Sequence, residues 1–423
     1  MLLLELNEFD PELMRAAAGR LQARQLQRLL SLHHSHTRTD DQDERAGLDP
    51  WVQWVSIHTG QPSAAHGIKH LGDVENLKCP QLWELLEAKG ISYGIWGAMN
   101  ASKGKAARHC RFFFPDPWTF SEAACPGELN DFLALPRYYS KNYLDLDGRL
   151  LAVQALKLLR FILRPGIFWQ LGQLLPFVLS HWSSASLRSP YLFSLFDLVN
   201  TRLFCHYYRK SKPRFAVLFL NSVAHAQHHC WVDRETLSKE MVFCFSVIDR
   251  CLDLIFSTID EQDLFMAANA FKQTQSYAKN EYLYRQVNPH TFFRDFNLNP
   301  VRVEQLMTND SQLFFASPEQ AETAGHLLNE ARIQGLRAFE ATRDRDDPCK
   351  LFCQFIVWKD IGAGAAIAVG PVSKPFYEHF EKVVRRSGVH TQEGDLFTNK
   401  EIAPERLYNH DIFKLILNGC NLS

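Results

Sequence analysis

The chain has 423 residues, 46% of them hydrophobic and 22% charged, with a formal net charge of -1. These values suit one large α/β unit or two unequal domains. They exclude a disordered chain or a strongly basic nucleic-acid-binding one. Ten cysteines are scattered without a CxxC pair, so a reducing, cytoplasmic setting with no disulfide framework is expected.

Leu2 to Leu6 reads as a short buried strand, followed by the polar turn Asn7-Glu8-Phe9-Asp10. Only three apolar residues follow Met1 and no basic region precedes them, so no secretory leader is expected. From Pro11 a helical apolar stripe runs through PELMRAAAGRLQARQLQRLLSL. Residues 35 to 50, SHTRTDDQDERAGLDP, read as a polar loop. Histidines 33, 34 and 36 form one of two histidine clusters; the other is 225, 228 and 229. Residues 51 to 60 end at Gly60. Residues 80 to 90 read as a helix with Pro80 near its first turn and Gly90 as its stop. A strand over 91 to 97 follows, and this strand–helix–strand alternation predicts a parallel sheet with helical crossovers. Residues 111 to 120 read as extended chain.

Residues 144–210 read as a helical cap or insertion between an N-terminal part of an α/β core, 1–143, and a C-terminal part, 211–423. The stretch 151–182 is the most hydrophobic, but Arg160, Arg164 and Pro165 interrupt it, so no transmembrane span is expected. A helical hairpin buried on its own domain is one reading of it; a face for a membrane or an apolar substrate is the other. Residues 214 to 222 are continuously apolar, as a central parallel strand covered on both faces would be. A helix over 235–257, a strand over 263–271 and a strand–helix pair over 312–332 follow. CKLFCQFIVWKD and GAAIAVG read as late strands, 388–401 as a loop, and HDIFKLILNGC as a closing helix.

In a parallel α/β sheet, working residues collect beyond the carboxyl ends of the strands. Glu5, Asn7, Glu8 and Asp10 follow the first strand. Asn221, His225, His228 and His229 follow the 214–222 strand. Asn269, Lys272 and Gln273 follow the 263–271 strand, and His390 and Glu393 lie in the late loop. His225 and His228 share one face if their segment is helical. Imidazole suits ions such as zinc, and the same histidines also serve as substrate hydrogen-bonding groups or as structural residues. Glu8 reads as a metal ligand, as a base or as a cap for the helix near Pro11. Asp49 reads as a catalytic carboxylate or an N-cap. Lys103 and Lys105, near Arg108 and His109, read as an anion-binding loop or a solvated basic surface.

Several stretches together resemble the alkaline phosphatase superfamily, nearest its type I phosphodiesterase/nucleotide pyrophosphatase branch. They are LLLELNEFDPELM, WVSIHTGQPSAAHGI, CPQLWELLEAKGISYGIWG, NSVAHAQHHCW and GVHTQEG, in family order through nearly all the chain. The resemblance implies a mostly parallel central sheet flanked by helices, with a helical cap insertion. It also implies ester hydrolysis by in-line displacement at two metal ions. Residue by residue, His228 and His390 match the family's histidines. Asn7 falls at the first metal-binding aspartate, Ala224 at a second, and Ala268-Asn269 at the Asp-His pair. The hydroxyl nucleophile falls around Asp49 and Pro50. Asparagine is a weaker ligand than aspartate, so one divalent ion, zinc or manganese, is expected rather than two.

The resemblance therefore implies a hydrolase or group-transfer enzyme acting on a small phosphate-type or other anionic ester with an apolar portion. Glu8, Asp49 and His225 are the candidate catalytic residues. Asn7, Lys103, Asn269, Lys272 and Gln273 are the candidate substrate-binding residues, and His228 and His390 the candidate metal ligands. The alternative is a catalytically inactive phosphatase-fold protein that binds an anionic ligand or a protein partner. Neither reading calls for nucleic acid.

Overall fold

The fold is taken from a computed structural model that describes all residues except 42–47, 105–106, 183–188, 234–235, 277–280, 307–308, 345–346, 386 and 423. Lys105 thus lies outside the described residues. The chain divides into two compact units, one of residues 1–136, 153–276 and 387–423, the other of 137–152 and 277–386.

β1 (Leu2–Leu6) is buried along its whole length, as suits a strand covered on both faces. α1 (Pro11–Leu21) starts on Asp10, whose carboxylate accepts the Leu13 amide at 2.6 Å. The single helix expected here breaks at Gln22, which has a φ of 50°, and resumes as α2 (Arg24–Leu30). The polar stretch read as a loop begins with β2 (His33–Arg38), where Ser35 and Thr37 are buried and their neighbours exposed. This strand is polar on both faces, so hydrophobic alternation gave it no signal. α3 (Pro50–Thr59) closes at Gly60 in the left-handed region, where a Cβ would meet Phe413 at 2.6 Å. After α4 (Ser63–His66) and α5 (Leu82–Ala88) come β3 (Tyr93–Trp96) and β4 (Cys110–Phe114).

α6 (Leu129–Asn142) precedes the stretch expected to be helical, 144–210, which holds α7 (Gly148–Ile162), α8 (Pro165–Gly172), α9 (Leu175–Ser180) and all but the last residue of α10 (Ser189–Ser211). Phe161, Ile167 and Leu174 turn into the core. Leu156, Leu163, Trp169 and Leu179 are each more than 60% exposed, so 151–182 packs one side on its own domain and carries an open apolar face on the other. No helix among the described residues is long and apolar enough to cross a membrane. β5 (Phe215–Leu220), α11 (Ser222–Cys230), α12 (Lys239–Phe256), β6 (Phe265–Ala268) and β7 (Gln273–Gln275) follow.

The second unit holds β8 (Tyr282–Gln286), α13 (Pro289–Asp295), β9 (Arg302–Gln305), β10 (Asp310–Phe314), α14 (Pro318–Glu330), β11 (Arg332–Ile333), β12 (Leu336–Arg337), β13 (Phe339–Arg343), β14 (Lys350–Phe355), β15 (Ala366–Val369), β16 (Val372–Pro375) and β17 (Phe380–Arg385). Its core is aromatic, built on Phe292, Phe339, Phe355, Phe376 and Phe380.

The chain then returns to the first unit. The late stretch read as a loop forms β18 (Gly388–His390), which pairs with β7, and β19 (Glu393–Thr398). β20 (Arg406–Tyr408) and α15 (Ile412–Gly419) complete it. The main sheet has eight strands in the order β20-β2-β19-β6-β1-β5-β3-β4. Its pairings are parallel except those of β19 with β2 and β6. The fold is therefore α/β with a mostly parallel central sheet. β6, β1 and β5 are neighbours, so the turns after them open side by side at one edge, where such sheets place their chemistry.

Candidate functional site

The site grows from the end of β1. The Asn7 amide donates to Leu220 O at the end of β5, and the Glu8 amide to Asn269 O after β6. The two residues thus extend β1 by one step toward each neighbour before the chain turns. Glu8 makes the turn at a φ of 54°, a region that costs a non-glycine residue on the order of 1 kcal/mol or more. Two donors hold its carbonyl: Gln227 Nε2 at 2.8 Å and the Gln273 amide at 3.2 Å. Gln227 Oε1 also accepts the Asp10 amide at 2.9 Å. Asp10 is the cap of α1, so the Glu8 carboxylate has no helix to cap and faces the histidines instead.

Glu8 Oε2 lies 3.0 Å from His228 Nε2 and 3.1 Å from His390 Nε2, and those two nitrogens are 3.3 Å apart. Gln273 Nε2 donates to the same oxygen, while Asn7 Nδ2 donates to Oε1 at 3.0 Å. Asn7 is fixed in turn, donating to Asn221 Oδ1 and accepting from Trp54 Nε1. Glu8 is 1% exposed. Its burial pushes the carboxyl pKa up, but His390 and then His228 more than offset this, and it lies well below the usual value.

The far nitrogens of both rings set their tautomers. His390 Nδ1 is 2.9 Å from Leu48 O, and His228 Nδ1 is 3.3 Å from Gly388 O. A carbonyl only accepts, so each Nδ1 carries the hydrogen and donates it. A neutral ring then turns its Nε2 lone pair toward Glu8 Oε2. Two lone pairs and a carboxylate oxygen converging on one point repel unless positive charge sits among them, as protons or as a metal cation. Backbone carbonyls orienting imidazoles in this way are a recurrent feature of metal sites.

The other expected residues fall at different distances from this point. Asp49 stands at the start of α3, with Oδ1 4.0 Å from His390 Nδ1. Gln273 also donates to Ala224 O, and its Oε1 is buried with no hydrogen-bond partner among the described residues. Lys272 reaches Glu393 at 3.2 Å. Asn269 is committed elsewhere: Nδ2 donates to Phe9 O and to Asp395, and Oδ1 accepts the Asp395 amide. Lys103 lies near Cys110, and no ion pair joins it to Glu8 among the described residues. His225 lies on helix α11, stacked on Phe193 at 4.0 Å with His229 edge-on at 4.3 Å. Burial, with His228 adding to it, pushes its pKa down to about 3, so it is neutral at physiological pH and packs in an aromatic group apart from Glu8. Glu5, one position before the end of β1, pairs with His58 in the core at 2.6 Å.

Gln227 and Gly388 are the contributors that sequence reading did not single out. A Cβ on Gly388 would lie 2.0 Å from Gln273 Oε1 and 2.9 Å from Gln227 O. The glycine two residues before His390 was the available signal.

No family model matches the sequence, and no curated protein does. Among solved structures, the chain is similar to phosphonoacetate hydrolase from Sinorhizobium meliloti in complex with phosphonoacetate, with 12% identity, 99% of this chain and 95% of that chain covered, and a TM-score of 0.48. It is similar to murine ectonucleotide pyrophosphatase/phosphodiesterase 5, with 8% identity, 100% and 95% covered, and a TM-score of 0.49. The human counterpart gives 9% identity, the same coverage and the same TM-score.

Proposed function

We propose that the chain hydrolyses or transfers a phosphate-type or other small anionic ester at the turn edge of the sheet, using one divalent cation of the zinc or manganese kind. The observation that carries this reading is the convergence of Glu8 Oε2, His228 Nε2 and His390 Nε2 with both Nδ1 atoms spent on backbone carbonyls. The resemblance of five stretches, in order along the chain, to the alkaline phosphatase superfamily supports it. One carboxylate and two imidazoles fit one such cation and leave positions open. A second cation does not fit: Ala224 and Ala268 offer no ligand, and Asn7 and Asn269 have spent their amides.

When bound, such a cation polarises the ester oxygen and lowers the pKa of a coordinated water. The chain's own residues do the rest. Glu8, His228 and His390 are the holding set. Asp49, at the amino end of α3, is the candidate base or nucleophile, and the helix end offsets part of its charge. Lys272 and Gln273 are candidates to meet the anionic group of the substrate. The inactive-binder reading has one observation in its favour: every oxygen of Glu8 already has a protein partner.

The test is metal content and turnover of a phosphodiester and a phosphomonoester chromogen. Wild type is expected to hold about one divalent cation at this site. Glu8→Gln, His228→Ala and His390→Ala are each expected to lower affinity by 10-fold or more and turnover by about 100-fold or more. Full turnover in His228→Ala and His390→Ala would overturn the site, and a wild type without turnover that still binds phosphate would favour the binder.

A further inference from the structure

The histidine cluster at 33, 34 and 36 takes no part in the site above. It lies on β2, which pairs antiparallel with β19 so that His36 faces Asp395 and His34 faces Phe397. Residues two apart on a strand share a face, and directly opposed residues of an antiparallel pair share one too. His34, His36 and Asp395 therefore stand together, while His33 falls on the other face.

Asp395 Oδ1 is 2.7 Å from His34 Nε2 and 3.5 Å from His36 Nδ1. One ligand atom of each residue lies within 4.8 Å of the other two. The Asp395 side chain is 2% exposed, against 30% for His34 and 56% for His36. Asn269 fixes the acid from behind, accepting its backbone amide at 2.8 Å and donating to Oδ2 at 3.3 Å. That leaves Oδ1 turned to the histidines. The His34 ring stacks on Phe397 at 4.5 Å and an interplanar angle of 6°, which fixes its plane.

The geometry points to a second, separate metal site, in which His34, His36 and Asp395 bind one divalent transition cation of the zinc class and clip β2 to β19. Two imidazoles with one carboxylate suit zinc and its borderline neighbours rather than calcium or magnesium, which take oxygen shells. An ordinary His–Asp ion pair accounts for His34 alone. It does not account for a second imidazole on the same carboxylate oxygen, with a buried amide orienting the acid as outer partners of metal ligands do. The exposed rims of both histidines leave the remaining positions to water or to a small anion.

Zinc binding to chelator-stripped full-length protein tests this, followed by calorimetry and by the visible absorption of a cobalt(II) replacement. The His228→Ala/His390→Ala protein removes the Glu8 site and is expected to retain about one zinc. Adding His36→Ala to it is expected to weaken the remaining affinity at least 10-fold and to abolish both the cobalt spectrum and the zinc-dependent rise in Tm. His36→Asn in the same background serves as a second variant, and circular dichroism verifies folding; His36 is half exposed, so neither change leaves a buried void. Zinc binding that is absent from His228→Ala/His390→Ala, or unaltered by both His36 variants, would overturn the proposal. Because the two sites are removed by different variants, failure here and failure of the Glu8 site read out separately.

Discussion

At the scale of single residues, charge and space both converge on Glu8. Its carboxylate is buried at a strained turn, with imidazoles on one oxygen and amides on both. Such a constellation is expensive to maintain without a role, since buried ionised groups need full compensation. Gly388 supplies the room for it. Gly388→Ala is expected to destabilise the protein by about 1–3 kcal/mol through overpacking, because the added carbon meets Gln273 and the Gln227 carbonyl. Denaturant unfolding measures this, and the same variant is expected to lose cation affinity as Gln273 is pushed from Glu8. His225 marks the contrast. Three histidines in five residues were legible as a cluster, but their division of labour was not, because it depends on which helix face meets the sheet. His225→Phe is expected to leave cation stoichiometry and turnover within about twofold of wild type, since the ring packs on Phe193 and is neutral. A large loss of turnover with cation content intact would restore it as a catalytic residue.

At the scale of elements, α11 is positioned by a buried acid from another helix. Asp197 of α10 accepts the Asn221 and Ser222 amides at 3.0 and 2.7 Å, meeting the open amino end of α11 that carries His228. Its burial pushes the carboxyl up to about 7, against the hydrogen bonds that favour the charged form. A folded value above the ordinary 3.8 means its contribution to stability is full below that value and is lost as pH rises through about 7. Asp197→Asn keeps an oxygen for both amides and cannot ionise. The Tm of wild type is therefore expected to fall relative to that of Asp197→Asn between about pH 4 and about pH 7 and to run parallel above that, by thermal melts across the range. Curves parallel over the whole range would exclude this group. The elements that sequence reading missed have a common cause. β2, β18 and β19 lack a continuous apolar run, and they exist because neighbours pair with them. A strand completed by partners distant in sequence leaves little periodic trace of its own.

At the scale of the molecule, the C-terminal segment is structural as well as chemical. β19 lies between β2 and β6 inside the main sheet, and β18 brings His390 to Glu8. Removing residues 388–423 would leave β6 with an open edge and β2 without its neighbour. The truncated chain is expected to be insoluble or to show a non-cooperative melt; a cooperative melt near that of the full chain would contradict this role. The sequence by itself determined the continuously apolar strands, the major helices and the α/β class, because continuous burial and helical periodicity are written in neighbouring residues. It also marked Glu8 and His228, as polar residues that follow two of the strands, and His390, in the late loop, through the family resemblance. Only the tertiary structure decided that these three meet at one oxygen while His225 and Asn269 do not join them, and that His34, His36 and Asp395 meet elsewhere. Those outcomes depend on strand order, register and helix rotation, which bring together residues more than 300 positions apart through pairings that neither stretch encodes alone.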